Sequence, residues 1–106
     1  VLSKLFSKKI KIKWPNDLMY NKKKICGILQ EVVSYNDKKF LVVGIGVNTN
    51  IDPKKQGFSS TSLKKIMEKN IDNNKVLNNI KSIYEKFLSK AKNYSYLELK
   101  KKYNNI

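Results

Sequence analysis

Lys13-Trp14-Pro15-Asn16-Asp17, followed by Lys24-Ile25-Cys26-Gly27-Ile28-Leu29, is the stretch on which the reading of this chain turns. Just upstream, Ile10 and Ile12 alternate with Lys11 and Lys13, the period of a short strand with one apolar face. Trp14-Pro15-Asn16-Asp17 breaks that strand. Pro15 lacks a backbone donor, its ring pushes Trp14 to extended backbone, and Asn16 and Asp17 favour a turn. A second apolar run starts at Lys24 and contains Gly27. A glycine inside a strand marks a bulge or a close approach by a ligand or another backbone. A carboxylate at a turn, a lysine at a strand start and a backbone opening at a glycine together suit an anionic or phosphorylated ligand.

Outward from this stretch, residues 18–20 read as a second short strand ended by the turn Asn21-Lys22-Lys23. Residues 24–35 read as a long strand with Ile25, Ile28, Leu29, Val32 and Val33 as its core positions. Asn36-Asp37-Lys38, between two apolar runs, predicts a hairpin. Residues 39–47 return as the next strand, and the unalternating Phe40-Leu41-Val42-Val43 predicts burial on both faces. Residues 52–60 are the loop candidate. The period then changes. Residues 62–69 read as a short helix with Leu63, Ile66 and Met67 on one side, and Asn73 or Asn74 is placed to cap the next one. Val76, Leu77, Ile80, Ile83, Tyr84, Phe87 and Leu88 have helical spacing over residues 75–90. Residues 1–6 read as the end of a helix and residues 96–103 as a last short one. Strands followed by helices predict an α+β fold, a mostly antiparallel sheet with helices packed on one face.

The segments KWPND and KICGIL, with Glu31 close behind and Gly44-Ile45-Gly46-Val47-Asn48-Thr49-Asn50 further on, resemble the biotin–protein ligases. Lipoate–protein ligases share a looser form of the pattern, but Trp14-Pro15 before Asn16 and Ile28-Leu29 after Gly27 favour the biotin branch. The resemblance is strong over residues 10–50 and rests on helix order beyond them. It implies the class II aminoacyl-tRNA synthetase-like fold of the biotin/lipoate ligase catalytic domain. It further implies formation of biotinyl-5′-AMP from biotin and Mg2+-ATP, then transfer of biotin to a lysine of a biotin carboxyl carrier protein. The family's catalytic domain is about twice as long, and its Gly/Arg-rich adenylate loop has no counterpart here. The chain is therefore expected to be the C-terminal part of a catalytic domain, a fragment with residues 1–50 as sheet and motifs and 51–106 as loop and helices, inactive by itself. The competing readings are a lipoate-type acyl ligase, a non-catalytic remnant of the fold, and a lysine-rich polyanion-binding module.

The 106 residues carry a formal charge of +15, and all 23 basic residues are lysine. Arginine, the preferred bidentate reader of guanine and phosphate, is absent, and the lysines are scattered. The charge reads as a solvated surface with salt-sensitive affinity for polyanions rather than a specific nucleic-acid site. A single cysteine, Cys26, excludes an internal disulfide and fits a reducing, cytoplasmic compartment. No histidine and one cysteine argue against a zinc site, and no apolar run is long enough to span a bilayer.

The resemblance assigns roles residue by residue. Lys24 aligns with the lysine beside the biotin carboxylate and the adenylate phosphate, where it would stabilise charge developing in both steps. Asp17 falls next to the reaction centre, to orient Lys24, a metal-bound water or the incoming lysine. Gly27, Ile28 and Leu29 run along the biotin ring system through their backbone. Trp14 is either a wall of that pocket or core. Asn48 lies near adenine, where an amide both donates and accepts. Glu31 supports the site or a metal from behind, or is a solvated strand position, and Cys26 is a small core residue.

Overall fold

The computed structural model describes residues 10–54, 57–90, 95 and 97–98. Four strands form one antiparallel meander in the order β1 (Ile10–Lys13), β2 (Asp17–Tyr20), β3 (Lys23–Tyr35) and β4 (Lys38–Val47). Two helices follow, α1 (Leu63–Met67) and α2 (Asn73–Lys90). The expected α+β class and the order of its elements hold. The helices expected over residues 1–6 and 96–103 lie largely or wholly outside the described residues.

Turn chemistry sets the meander. Asn21 and Lys22 (φ 47° and 64°) join β2 to β3, and Asn36 and Asp37 (φ 49° and 63°) join β3 to β4. Two successive residues with positive φ match the twist of antiparallel strands, and Asn and Asp tolerate that conformation best. Both loops are two residues long, so Lys23 and Lys38 belong to the strands that follow. The Trp14–Pro15 peptide bond in the β1–β2 turn is cis.

The core sits where the helices meet the first half of the sheet. Ile10, Ile25, Cys26 and Leu63 are fully buried, with Leu18, Tyr20, Ile28, Ile45, Val47, Ile66, Ile71 and Val76 packed around them. Register explains the set: Ile10 faces Tyr20, Leu18 faces Cys26, Cys26 faces Val47, and Ile28 faces Ile45, all on the face that α1 and α2 cover. Ser62 caps α1 by accepting from the Lys65 N–H. The second cap differs from expectation. Asp72, not Asn73 or Asn74, accepts from the Asn74 and Lys75 N–H groups, so α2 begins at Asn73.

The far half of the β3–β4 hairpin departs from the sequence reading. Leu29, Val32 and Val33 were expected in the core and Phe40–Val43 buried on both faces. Instead Leu29, Val32, Val33, Phe40, Leu41 and Val42 are exposed, and Val43 is half-buried. The hairpin reaches beyond α1 and α2, and no described element covers either of its faces there. Hydrophobicity marks those positions for burial without naming the partner. The loop read over residues 52–60 is tied at both ends: Ser60 Oγ donates to Asp52 and to the Pro53 carbonyl, and Lys65 pairs with Asp52 at 2.7 Å. Among the described residues no helix is long and apolar enough to cross a membrane.

Candidate functional site

Strand alternation alone would put Lys24 and Gly27, three residues apart, on opposite faces of β3. The pairing with β2 shows why they share one. Leu18 pairs with Cys26 but the next residue, Met19, pairs with Lys24, so Ile25 is an extra residue in β3. This is a β-bulge, and it re-aims the side chain that precedes it, Lys24. The bulge sits two residues before Gly27, the position where the sequence suggested one. It also places the consecutive Ile25 and Cys26 both in the core.

The re-aimed lysine meets Asp17. Lys24 Nζ lies 3.0 Å from Asp17 Oδ1, with the two side chains about one-third and one-fifth exposed. Asp17 pairs with Gly27, and Gly27 with Gly46, so one row across the sheet reads Asp17, Gly27, Gly46. A Cβ on Gly27 would stand 3.4 Å from both Lys24 Cε and Nζ and 3.7 Å from Asp17 Oδ1. The ion pair thus rests on bare backbone. Gly27 serves here through the side chain it lacks, as the sequence suggested in asking for a close approach. The Ile28 N–H donates to the Asn16 carbonyl at 2.8 Å, fixing the β1–β2 turn against the same stretch.

Each partner of this pair lines a hollow. The larger, about 620 Å³, is lined by Ile12, Asp17, Leu18, Ile28, Leu29 and Tyr84 among others, a mostly apolar set. The smaller, about 270 Å³, is lined by Lys24, Gly27, Gly46, Asn48, Pro53 and Phe58 among others. Asp17 belongs to the first and Lys24 to the second, so the ion pair links one lining residue of each. Of the sequence-predicted residues, Asp17, Ile28 and Leu29 gather at the apolar hollow, and Lys24, Gly27 and Asn48 at the polar one. Trp14 lines neither and is 79% exposed, which removes it from the core and from the walls of both hollows. Glu31 is an exposed strand residue.

Asn48 is more than a lining residue. Its side-chain amide donates to the carbonyls of Lys24 (3.3 Å) and Thr61 (3.1 Å), its N–H to Ile25, and its carbonyl accepts from Leu63. It clamps β3 to the segment before α1, leaving Oδ1 as the side-chain group for any ligand. Two residues on, the Asn50 side chain bonds both backbone groups of Ile71, just before α2. Burial pushes the Cys26 thiol up to about 11, against the opposing pull of Lys24. With that value and no base beside it, Cys26 is a core residue, not a nucleophile. Sequence reading missed Phe58, whose ring lies 5.4 Å from Lys24 Nζ. Its only signal was an aromatic side chain following Gly57 in an otherwise polar loop.

Comparison with known proteins bears on this geometry. Residues 3–48 match the model of the biotin/lipoate A/B protein ligase family. The chain is 36% identical over 80 residues to the bifunctional ligase/repressor BirA of Bacillus subtilis, covering 71% of this chain and 25% of that protein. The Escherichia coli BirA is 43% identical over 49 residues, 45% of this chain and 15% of that protein. In three dimensions the chain superposes on the biotin protein ligase of Aquifex aeolicus in complex with biotin and ATP, with a TM-score of 0.76 and 33% identity, over 96% of this chain and 43% of that one. The Leishmania major biotin protein ligase bound to biotinyl-5-AMP gives 0.74 and 26%, over 99% and 41%. The chain therefore spans about a quarter of the Bacillus protein and under half of the solved ligases. The resemblance read from KWPND, KICGIL and the Gly-x-Gly-x-Asn segment is borne out: residues 3–48 carry the biotin/lipoate A/B protein ligase pattern, and the chain has the fold of the corresponding part of biotin protein ligases.

Proposed function

We propose that this chain is the part of a biotin–protein ligase that holds the acyl-adenylate, in an enzyme that makes biotinyl-5′-AMP from biotin and ATP and passes biotin to a lysine of a biotin carboxyl carrier protein. The observation that carries this reading is the Asp17–Lys24 pair over a glycine floor, with Asp17 lining an apolar hollow and Lys24 a polar one. A mixed anhydride has this polarity: an apolar bicyclic ring and chain at one end, a nucleotide at the other, and an anionic phosphate between. The apolar hollow is of a size that takes small ligands.

In this reading biotin lies along Ile28 and Leu29, and its carboxyl group reaches Lys24. Attack of that carboxylate on the α-phosphate, with pyrophosphate leaving, concentrates negative charge beside the ammonium. Lys24 leaves Asp17 for the new anion, a fixed cation placed where charge develops. Without ligand, Asp17 keeps the ammonium over Gly27. Among the described residues there is no cluster of three or more metal-ligating side chains. Mg2+ would therefore arrive with ATP, held chiefly by phosphate oxygens, with Asp17 the carboxylate at hand; bound there, it supplies neutralising charge on the phosphates. With one thiol in the core, the cytoplasm is the compartment we assign. The 106 residues contain no arginine to close over the adenylate, and by themselves are expected to catalyse little exchange.

Calorimetric titration of the chain with biotin, a non-hydrolysable biotinyl-adenylate analogue and the matching lipoyl-adenylate tests the reading. Selective binding of the biotinyl analogue is the expected result. Preference for the lipoyl compound would move the chain to the lipoate branch of the same family model, and binding of neither would make it a remnant of the fold.

A further inference from the structure

Lys24 is held from a quarter that its motif does not supply. Its N–H donates to the Ser59 carbonyl and its own carbonyl accepts from the Thr61 N–H, both at 2.9 Å, and it forms a parallel bridge with Ser60. The residue just before this segment is Phe58, whose ring centroid lies 5.4 Å from Lys24 Nζ. Phe58 is 42% exposed, so burial is not what holds it there. Gly57, at φ 98°, takes a backbone conformation that side chains rarely adopt and turns the chain into Phe58.

We propose that Phe58 is a positioning residue for Lys24: its ring keeps the ammonium over Gly27 when Asp17 gives it up. A carboxylate and a lysine that are both partly exposed hold each other weakly. A substrate phosphate that draws Lys24 from Asp17 would leave a flexible four-carbon stem free to swing to solvent. The face of an aromatic ring attracts a cation without competing for the hydrogen bonds that the phosphate needs. The same segment fixes both backbone groups of Lys24, so the stem is anchored at its base and guided at its tip by neighbouring residues of one loop. The consequence for catalysis rests on the ligase reading; the contact itself does not.

Nuclear magnetic resonance of the chain with isotopically labelled lysine tests the contact without any ligand. The Lys24 ε-methylene protons are expected upfield of the other lysines, shifted by the Phe58 ring. They keep that shift in Asp17→Asn and in Phe58→Tyr and lose it in Phe58→Leu. Should Phe58→Leu disturb the fold, Lys24→Met reports from the other side through a change in the Phe58 ring resonances. Unshifted Lys24 protons in the unsubstituted chain, or a shift that survives Phe58→Leu, would overturn the proposal. For the biotinyl-adenylate analogue, Phe58→Leu is expected to weaken binding about two- to fivefold and Phe58→Tyr to restore it. A ring shift that behaves as described, with no analogue bound, leaves the positioning in place and removes the ligase reading; full binding with no ring shift does the reverse.

Discussion

Lys24 Nζ sits 3.0 Å from Asp17 Oδ1 because β3 carries one residue more than β2 between their shared pairs. Were Ile25 instead paired regularly with Met19, the lysine would turn to the face where Cys26 and the helices lie. The site therefore depends on a backbone irregularity as much as on its charged groups. Deleting Ile25 would leave Lys24 and Gly27 two residues apart on one face, so it is expected to keep the ion pair while emptying the centre of the core, seen as a large fall in melting temperature.

Gly27 gives the most direct steric prediction. An added methyl group would press on Lys24 Cε and Nζ at 3.4 Å, and the flexible end of a lysine yields by a few tenths of an ångström. In a ligase carrying this chain, Gly27→Ala is expected to slow biotin-dependent ATP–pyrophosphate exchange by about tenfold, below the ~10²-fold cost of a 1 Å misplacement. The melting temperature should hardly change. Normal exchange in Gly27→Ala would show that the glycine floor is not needed.

Asn48 is expected to matter for stability before it matters for binding. Asn48→Ala leaves the Lys24 and Thr61 carbonyls without their side-chain donor, at a cost of about 1–3 kcal/mol. Asn48→Asp should be no better, because it removes the donor and faces two carbonyls with a charge. Urea unfolding measures both. A neutral Asn48→Ala would return the residue to a purely ligand-facing role.

The Cys26 thiol, raised to about 11 by burial, carries a pH signature. The unfolded chain releases this proton near the ordinary value of about 8.5. Between those values the folded state binds more protons than the unfolded one, so stability falls as pH rises through that window. Alkylation of Cys26 at neutral pH should accordingly be slow in the folded chain and fast once urea unfolds it. Rapid labelling under native conditions would contradict its place in the core.

The tie between residues 52–60 and α1 should loosen in acid. The hydrogen bond from Lys65, with a second from Ser60, holds the Asp52 carboxyl below its usual range. A depressed carboxylate lends stability that is present above its unfolded value and disappears as pH falls through the folded one. Amide exchange at Thr61, whose N–H bonds Lys24, is expected to quicken at pH values below the ordinary carboxylate range, and Asp52→Asn to remove that acid step. Exchange independent of pH there, after allowance for its intrinsic rate, would count against the tie.

Much of this architecture was legible in the residues. Asn21-Lys22 and Asn36-Asp37 announced two turns, the apolar spacing over residues 76–88 announced α2, and KWPND with KICGIL announced the site. What stayed hidden has physical causes. Ile25 and Cys26 are both apolar, so no polar residue out of step betrayed the bulge. Asp72 caps α2 in competition with two adjacent asparagines of similar capping strength. Phe40, Leu41 and Val42 are apolar yet exposed, and an apolar run in a sequence does not say whether anything covers it. Phe58 reaches Lys24 through loop geometry, which has no period to read.

The measurement that bears most directly on the central claim is biotin-dependent ATP–pyrophosphate exchange by a ligase carrying this chain, with Lys24→Ala against the unsubstituted protein. The account expects a loss of about 10²-fold or more, with folding unchanged, as follows from removing a charge-stabilising contact at the reacting phosphate. An unchanged rate in Lys24→Ala would contradict it and leave the Asp17–Lys24 pair a structural ion pair on the surface of the sheet.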